Sequence, residues 1–174
     1  MPGLDLRPTA DRLRETLFNV LTAGNPEALA GTAWIDLYAG TGAVGIEALS
    51  RGAKMVHFVE SSAEAAELIR TNLRSLGIVS GFQVLKQDAV RAVRNLAASG
   101  VQADFAFLDP PYRMEEAYRQ TLTALSTSTL VNPSTTVIAE HQKRNDPGTE
   151  FASLVRYRLL QQGDAALSFY RASP

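Results

Sequence analysis

Hydrophobic and polar positions follow two alternating periods along most of the chain. Short apolar runs predict strands, and apolar residues spaced three or four positions apart predict helices between them. The predicted strands cover residues 33–38, 55–60, 82–85, 103–108 and 135–139. Helices are predicted from the N-cap Thr9 to residue 21, from the loop at residues 39–45 to about residue 50, from the N-cap Ser61 to about residue 76, and over residues 89–98 and 115–125. This alternation implies a parallel sheet with helices on both faces.

The pattern changes after Pro147-Gly148, where two predicted strands, 154–160 and 165–170, flank the dipeptide Gly163-Asp164. Two strands joined by such a short turn predict a hairpin, which would close one edge of the sheet with an antiparallel pair. Neither an internal repeat nor a linker interrupts the pattern. We therefore predict a single α/β domain over residues 1–174, with a mostly parallel seven-stranded sheet flanked by helices.

Composition narrows the functional classes. The 174 residues include no cysteine, which excludes disulfides, thiolate metal sites and a cysteine nucleophile. The histidines lack companions at metal-ligand spacing, so no metal site is expected. A formal net charge of -1 does not indicate a nucleic-acid binder, although a total can hide a local basic face. The sequence shows neither a signal peptide nor an apolar run that could span a bilayer, which predicts a cytoplasmic protein.

A glycine-rich loop follows the first predicted strand. Residues Gly40 to Gly45 match the pattern G-x-G-x-x-G between a strand and a helix, and Glu60 ends the next strand. Glycines let a backbone approach a nucleotide, and a carboxylate can bind both hydroxyls of a ribose. A dinucleotide and S-adenosylmethionine both fit this half of the chain. Asp36 favours the second, because its carboxylate would repel a pyrophosphate and attract the cationic amino group of methionine. Asp88, at the third strand end, could reach the adenine amino group.

The stretch Asp109-Pro110-Pro111-Tyr112 follows the fourth predicted strand. An exocyclic amino group on a base is a poor nucleophile, because its lone pair is conjugated into the ring. A carboxylate and a backbone carbonyl can accept hydrogen bonds from its two N–H groups and turn the lone pair towards an electrophile. Asp109 would supply the carboxylate, and Pro110 a carbonyl held by the fixed φ of consecutive prolines. Tyr112 could stack on a planar substrate.

These motifs resemble those of class I S-adenosylmethionine-dependent methyltransferases. Two segments narrow the resemblance to the RsmD family. They are Arg7-Pro8-Thr9 with the helix that follows, and residues 45–53. The resemblance runs from about residue 6 to residue 170. It implies a Rossmann-like methyltransferase fold, S-adenosylmethionine as cofactor, S-adenosylhomocysteine as product and no metal. It also implies methylation of the N2 amino group of one guanine in 16S ribosomal RNA. The expected partner is this RNA in the small ribosomal subunit or its assembly intermediate, bound by a monomer without a membrane.

The resemblance also assigns roles to residues. Asp109, Pro110 and Tyr112 would be catalytic. The cofactor would contact Asp36, Tyr38, Ala39, Gly40, Thr41, Gly42, Glu60, Ser61, Asp88 and Ala89. The substrate would contact Arg7, Thr9, Arg12, Arg14 and Pro111. Two features depart from the family: Ala39 stands where a glycine is frequent, and the β-hairpin usual before the Arg-Pro-Thr stretch is expected to be missing.

Three alternatives fit parts of the same pattern. DNA adenine and protein glutamine methylases share close forms of the Asp-Pro-Pro-Tyr motif, and only the flanking resemblance argues against them. A nicotinamide-dependent oxidoreductase could use the same glycine loop, but it leaves Asp109 to Tyr112 unexplained. An RNA-binding module without catalysis would have no need of the intact motif.

Overall fold

The computed structural model describes residues 8–111 and 113–174, although the side chains of residues 8 and 9 fall outside this description. The described helices are α1 Pro8–Leu21, α2 Ala43–Ser50, α3 Ala63–Ser75, α4 Ala89–Ala98 and α5 Glu115–Ser126. The described strands are β1 Ala33–Leu37, β2 Met55–Glu60, β3 Phe82–Lys86, β4 Phe105–Leu108, β5 Thr136–Gln142, β6 Glu150–Phe151, β7 Leu154–Gln162 and β8 Ala165–Ala172. Within these ranges, no helix combines the length and apolar character needed to cross a bilayer.

The strands form one sheet in the order β3-β2-β1-β4-β5-β8-β7-β6. Strands β1 to β5 run parallel, whereas β8 pairs antiparallel with β5, and β7 pairs antiparallel with both β8 and β6. The predicted fold class, including the C-terminal hairpin, is therefore confirmed. The described residues form eight strands where seven were expected, because the two-residue strand β6 adds to the edge beside β7.

The strand order reverses between β1 and β4, which are neighbours in the sheet but distant in the chain. In open α/β sheets, ligands bind beyond the carboxyl ends of the strands at such a reversal. Asp36, near the end of β1, lies opposite Phe58 of β2 and Phe107 of β4 in the strand register. The crevice beyond β1, β2 and β4 is therefore the expected ligand site.

Two hydrophobic clusters cover the two faces of the sheet. One packs α4 and α5 against the sheet, with Val93 and Leu122 among its buried residues. The other contains residues of α1, α2 and α3, and its largest buried side chain is Trp34. The indole of Trp34 stacks between the rings of Phe18 and Phe105, at centroid distances of 5.6 and 4.7 Å. This stack fixes α1 against the first residues of β1 and β4.

Two helix caps differ from the sequence prediction. Ser62, rather than Ser61, is the N-cap of α3, and its hydroxyl accepts a hydrogen bond from the Ala65 N–H at 3.2 Å. The N–H of Ser61 instead donates to the carboxylate of Glu60 at 3.0 Å. Thr9 lies inside α1 rather than before it, and its side chain is outside the described residues.

Candidate active site

The loop between β1 and α2 needs glycine at two positions. Gly40 and Gly42 have φ values of 59° and 82°, in the left-handed region that disfavours other residues. The N–H of Gly42 donates to the Ala39 carbonyl at 2.8 Å, and the N–H of Ala39 donates to the Val59 carbonyl at 3.0 Å. These bonds close a tight turn and tie it to the end of β2. A Cβ atom on Gly40 would meet no described heavy atom within 4 Å, so the loop borders open space there.

Two further contacts hold this loop and the start of α2 in place. The side-chain amide of Asn72 in α3 donates to the Thr41 carbonyl at 2.9 Å. Gly45, in the first turn of α2, packs directly on β2, because a Cβ atom there would lie 2.3 Å from Phe58 Cε1 and 2.8 Å from Val56 Cγ1. The third glycine of the motif therefore allows close helix-to-sheet packing, whereas Gly40 faces open space.

Asp36 is the buried carboxyl group of this region. The residue is 2% exposed, and its Oδ2 atom accepts a hydrogen bond from the Gly45 N–H at 3.0 Å. Burial is the main reason that the pKa of Asp36 is raised to about 8, and the hydrogen bond from Gly45 opposes that rise. A positive charge placed beside such a carboxyl would favour its ionised form. Asp36 is therefore suited to a cationic ligand group.

Two further carboxylates lie at the ends of β2 and β3. Glu60 is half-buried and accepts the hydrogen bond from the Ser61 N–H. Asp88 is the N-cap of α4, and its carboxylate accepts the N–H groups of Val90 and Arg91, each at 3.2 Å. Asp88 was not identified as a helix cap from the sequence, although an acidic residue before a helix is a recognisable N-cap signal. Asp88 is also exposed, which leaves it accessible to a ligand.

A cavity of about 770 Å³ lies between α4 and α5. Its described lining includes Asp88, together with Arg94, Arg119 and several hydroxyl side chains, but none of the other predicted cofactor residues. Ala89, one of those residues, is buried as the first residue of α4. The cavity therefore meets the predicted cofactor site only at Asp88.

The Asp-Pro-Pro turn leaves β4 beside the end of β1. The N–H of Asp109 donates to the Leu37 carbonyl at 3.4 Å, which extends the pairing of the two strands by one residue. Asp109 and Pro111 are exposed, whereas Pro110 is buried. The turn therefore combines an accessible carboxylate with a packed proline. Tyr112, the predicted stacking residue, lies outside the described residues.

The acidic groups of these turns share one electrostatic environment. After burial, the charges of Asp109 and Glu60 are further causes that raise the pKa of Asp36. Burial also raises the pKa of Tyr118, and the charge of Asp109 adds to that rise. Because the groups act on each other through space, the crevice at the strand ends is an acidic site. Such a site favours a cationic ligand over a pyrophosphate.

Two tyrosine hydroxyl groups hold α5 against the strand ends. Tyr38, a non-glycine residue with a φ of 58°, shares a hydrogen bond of 2.8 Å with the buried Thr121. Tyr118 donates to the Glu140 carbonyl in β5 at 2.7 Å. Burial raises the pKa of both tyrosines, so both hydroxyls keep their protons at neutral pH. Sequence reasoning missed Thr121 and Tyr118, because no motif marks them apart from the helical periodicity of α5.

The two segments that carry the family resemblance meet between α1 and α2. They line a cavity of about 260 Å³ formed by Asp11, Arg14, Glu15, Phe18, Glu47 and Arg51. The guanidinium group of Arg51 lies 2.9 Å from Glu47 and 5.2 Å from the ring centroid of Phe18. With two arginines and three acids, the cavity has no excess of positive charge that would select phosphate.

The predicted substrate residues between positions 7 and 14 of the sequence divide into three groups. Arg12 is exposed and accessible. Arg14 is part-buried and forms an ion pair with Asp11 at 3.1 Å. Arg7 and the side chain of Thr9 lie outside the described residues. A substrate contact of Arg12 or Arg14 therefore stays a prediction.

Comparisons with known proteins agree with this architecture. A family model described as conserved hypothetical protein 95 matches residues 1–171. The ribosomal RNA small subunit methyltransferase D of Escherichia coli (strain K12) is 30% identical over 170 residues, which cover 98% of this chain and 80% of that protein. A solved structure of a conserved hypothetical protein from Streptococcus pyogenes is 30% identical, with a TM-score of 0.79 over 92% of this chain and 95% of that one. The N-methyltransferase NodS of Bradyrhizobium japonicum WM9, 12% identical, has a TM-score of 0.70 over 98% and 100% of the two chains.

The strand order, the glycine loop at the strand reversal and these likenesses define a protein of the Rossmann-like methyltransferase fold. Within that class, the chain belongs to the RsmD family, because the family model covers nearly its whole length and the E. coli ribosomal RNA small subunit methyltransferase D is 30% identical over 98% of it. The family identified from the sequence is therefore confirmed.

Proposed function

We propose that the chain methylates the exocyclic N2 amino group of a guanine in 16S ribosomal RNA, with S-adenosylmethionine as methyl donor. The observation that carries the proposal is the pairing of two turns at the strand reversal: a glycine-lined turn with a buried acid, and a turn with the exposed Asp109. The hydrogen bond from Asp109 to Leu37 joins them at 3.4 Å. The name of the E. coli relative, a methyltransferase of small-subunit ribosomal RNA, supports the choice of substrate.

The residues of the glycine-lined turn fit S-adenosylmethionine. Asp36 would face its cationic amino group, Glu60 its ribose hydroxyls and Asp88 its adenine amino group. Gly40 fits a close ligand, because the space beside its Cα atom is open. The remaining contacts would come from Tyr38, Ala39, Thr41, Gly42, Ser61 and Ala89. When bound, the cofactor supplies an electrophilic methyl group on a positively charged sulfur.

The Asp-Pro-Pro turn would act on the amino group of the base. Asp109 accepts a hydrogen bond from one N2–H, and the Pro110 carbonyl accepts the other, which aims the nitrogen lone pair at the methyl group. The proton lost from N2 passes to Asp109 or to water. The guanine must leave its base stack to reach this turn, at a cost of a few kcal/mol. Positioning of well-oriented reactants can lower the barrier by up to ~7–11 kcal/mol, so this chemistry needs little beyond orientation.

The test is transfer of a labelled methyl group from S-adenosylmethionine to small ribosomal subunits that lack the modification. Naked ribosomal RNA, DNA and protein are parallel substrates, and mass spectrometry identifies the modified product. We expect N2-methylguanosine in 16S ribosomal RNA. Methylated adenine in DNA or methylated glutamine in protein would contradict the proposal. Labelling of subunits but not of naked RNA would identify the assembled particle as the partner.

The cofactor is tested separately by thermal shift with S-adenosylhomocysteine and with NAD. A ligand that binds only the folded state raises its stability, so we expect a higher Tm with S-adenosylhomocysteine alone. A shift with NAD alone would favour the dinucleotide interpretation of the glycine loop.

A further inference from the structure

The first residue before α5 departs from the capping chemistry of neighbouring helices. The N-caps of α3 and α4 are Ser62 and Asp88, whose side chains accept backbone N–H groups. The corresponding residue of α5 is Met114, which makes no side-chain cap hydrogen bond with the described residues. Ser, Thr, Asp and Asn stabilise this position, whereas apolar residues do not. Helix stability therefore does not explain the methionine.

Met114 nevertheless has a well-defined backbone. Its N–H donates to the Pro111 carbonyl at 2.8 Å, and its carbonyl accepts the N–H of Ala117 at 2.9 Å. Helix α5 is in turn held by the hydrogen bonds of Tyr118 and Thr121 to neighbouring strand ends. Met114 is 46% exposed. An apolar side chain is thus presented to solvent from a fixed backbone, five residues after Asp109 in the chain.

The charges around Met114 balance each other and do not select a phosphate. Glu115 and Glu116 follow it in the first turn of α5, and both are exposed. Glu116 forms an ion pair with Arg119, and the exposed Arg113 precedes Met114. With two carboxylates and two guanidinium groups, this helix start has no excess positive charge that would select a phosphate. A thioether side chain can pack on the face of a base without any charge, and methionine is among the residues that insert between base steps.

We propose that Met114 contacts the RNA substrate by packing against a base beside the target guanine, which keeps the target out of its stack. The inference rests on the proposed function and adds to it a residue that recognises the substrate. It accounts for a position where a small polar cap would stabilise the helix and an exposed methionine stands instead. Met114 contacts the substrate in this proposal but takes no part in bond formation.

Three variants separate this role from a structural one. Met114→Ser adds a capping hydroxyl and removes the apolar side chain, whereas Met114→Leu keeps an apolar side chain of similar size. Val79→Ser is the matched control, because Val79 is an 87% exposed apolar residue in the loop before β3, outside the candidate active site. Each variant is measured for Tm, for S-adenosylhomocysteine affinity and for kcat/KM with small ribosomal subunits that lack the modification.

We expect Met114→Ser to raise the Tm by about 2–4 °C, the shift typical of one added cap in a chain of this size. Its affinity for S-adenosylhomocysteine should equal that of the parent, whereas kcat/KM should fall about tenfold, as for the loss of one base-stacking contact. Met114→Leu should retain kcat/KM within about threefold. Val79→Ser should retain the parent kcat/KM. If Met114 had only a structural role, its replacement would not raise the Tm and lower kcat/KM at the same time.

A Met114→Ser protein with the parent kcat/KM would overturn the inference. If that variant instead loses stability, Met114→Ala is compared with Met114→Leu, and equal kcat/KM values for these two would overturn it as well. Absence of methyl transfer by the parent, with S-adenosylhomocysteine still bound, would refute the proposed function and this inference with it. That outcome is seen in the parent alone, before any variant is compared.

Discussion

The turns after β1 and after β4 lie side by side at the carboxyl edge of the sheet, but they are built in opposite ways. Beside the first turn, the carboxyl group of Asp36 near the end of β1 is buried, and Gly45 in the first turn of α2 packs tightly on β2. The β4–α5 turn exposes its carboxylate, Asp109. The N-cap residues of the helices that follow, α2 and α5, are Gly42 and Met114, and neither makes a side-chain cap within the described part of the chain.

The difference matches the two ligands of the proposed reaction. A small cationic cofactor can enter the crevice at the strand ends and meet a buried carboxyl group. A base that belongs to a large RNA requires a carboxylate at the surface. Among the described residues, α3 and α4 have side-chain caps whereas α2 and α5 do not, and a cap contributes about 1 kcal/mol. The two turns of the candidate site therefore lack a local stabilisation that nearby helix starts have.

The largest expected effect concerns Asp36 and pH. An aspartate in the unfolded chain ionises near pH 4, whereas the pKa of Asp36 is raised to about 8 by burial. Between these values the folded state keeps a proton that the unfolded state has lost. The free energy of unfolding therefore falls as pH rises, by at most about 1.4 kcal/mol per pH unit, and this decrease ends near pH 8.

Asp36→Asn removes this titration but retains an acceptor for the Gly45 N–H. We expect the variant to gain stability relative to the parent by roughly 3–5 kcal/mol between pH 4 and pH 8, as measured by denaturant unfolding at a series of pH values. Parallel pH profiles for the two proteins would mean that Asp36 is ionised in the folded state. The electrostatic contrast between the two turns would then disappear.

The next effect concerns Asp109. Asp109→Ala should lower kcat for methyl transfer about 10²-fold or more, because it removes a preorganised hydrogen-bonding group from the proposed reaction. S-adenosylhomocysteine affinity should change less than about twofold, because the residue lies on the other turn. Single-turnover methyl transfer and calorimetric titration measure the two quantities.

Asp109→Asn is the matched variant, since it keeps an acceptor oxygen but loses the negative charge. Its rate should lie between those of the parent and the alanine variant. An alanine variant with the parent rate would exclude Asp109 from the reaction. An alanine variant with weakened S-adenosylhomocysteine binding would instead place Asp109 in the cofactor site.

Local sequence patterns were sufficient to predict the bounds of some helices and strands. Strand β2 and helix α4 have the predicted bounds, 55–60 and 89–98, because each has a strong hydrophobic period and clear flanking signals. The choice between Ser61 and Ser62 as the cap of α3 could not be made locally, since both side chains have the required hydroxyl. The outcome depends on Glu60, whose carboxylate accepts the Ser61 N–H.

The candidate site was predictable in its location but not in its electrostatics. The carboxyl ends of parallel strands meet at one edge, so a sequence that places Asp36 and Asp109 near two strand ends already indicates the edge of the sheet where the site lies. The raised pKa of Asp36 depends on burial, and burial depends on how closely α2 approaches the sheet at Gly45. The contact of Tyr38 with Thr121 joins residues 83 positions apart, and no sequence motif links them. Long-range packing therefore determines the properties that local patterns leave undefined.

The smallest expected effects concern two glycines of the loop motif: Gly45, which packs on β2, and Gly40, which faces open space. Gly45→Ala would place a Cβ atom 2.3 Å from Phe58 Cε1, and Phe58 is fully buried. Overpacking of this kind costs about 1–3 kcal/mol, or a fall in Tm of about 3–10 °C. A Cβ atom on Gly40 faces open space, so Gly40→Ala should cost only the strain of its left-handed φ of 59°, about 1 kcal/mol.

The two substitutions should have the opposite order of effect on ligand binding. Gly40→Ala fills space beside the proposed cofactor and should weaken S-adenosylhomocysteine binding more than Gly45→Ala does, as measured by calorimetry below the Tm of both variants. A Gly45→Ala protein with the parent Tm would show that α2 can move away from β2 at little cost. Undiminished binding by Gly40→Ala would place the ligand elsewhere than beside Gly40. Either result would remove the distinction between packing glycine and ligand-facing glycine, because the two positions would no longer respond differently to the same added methyl group.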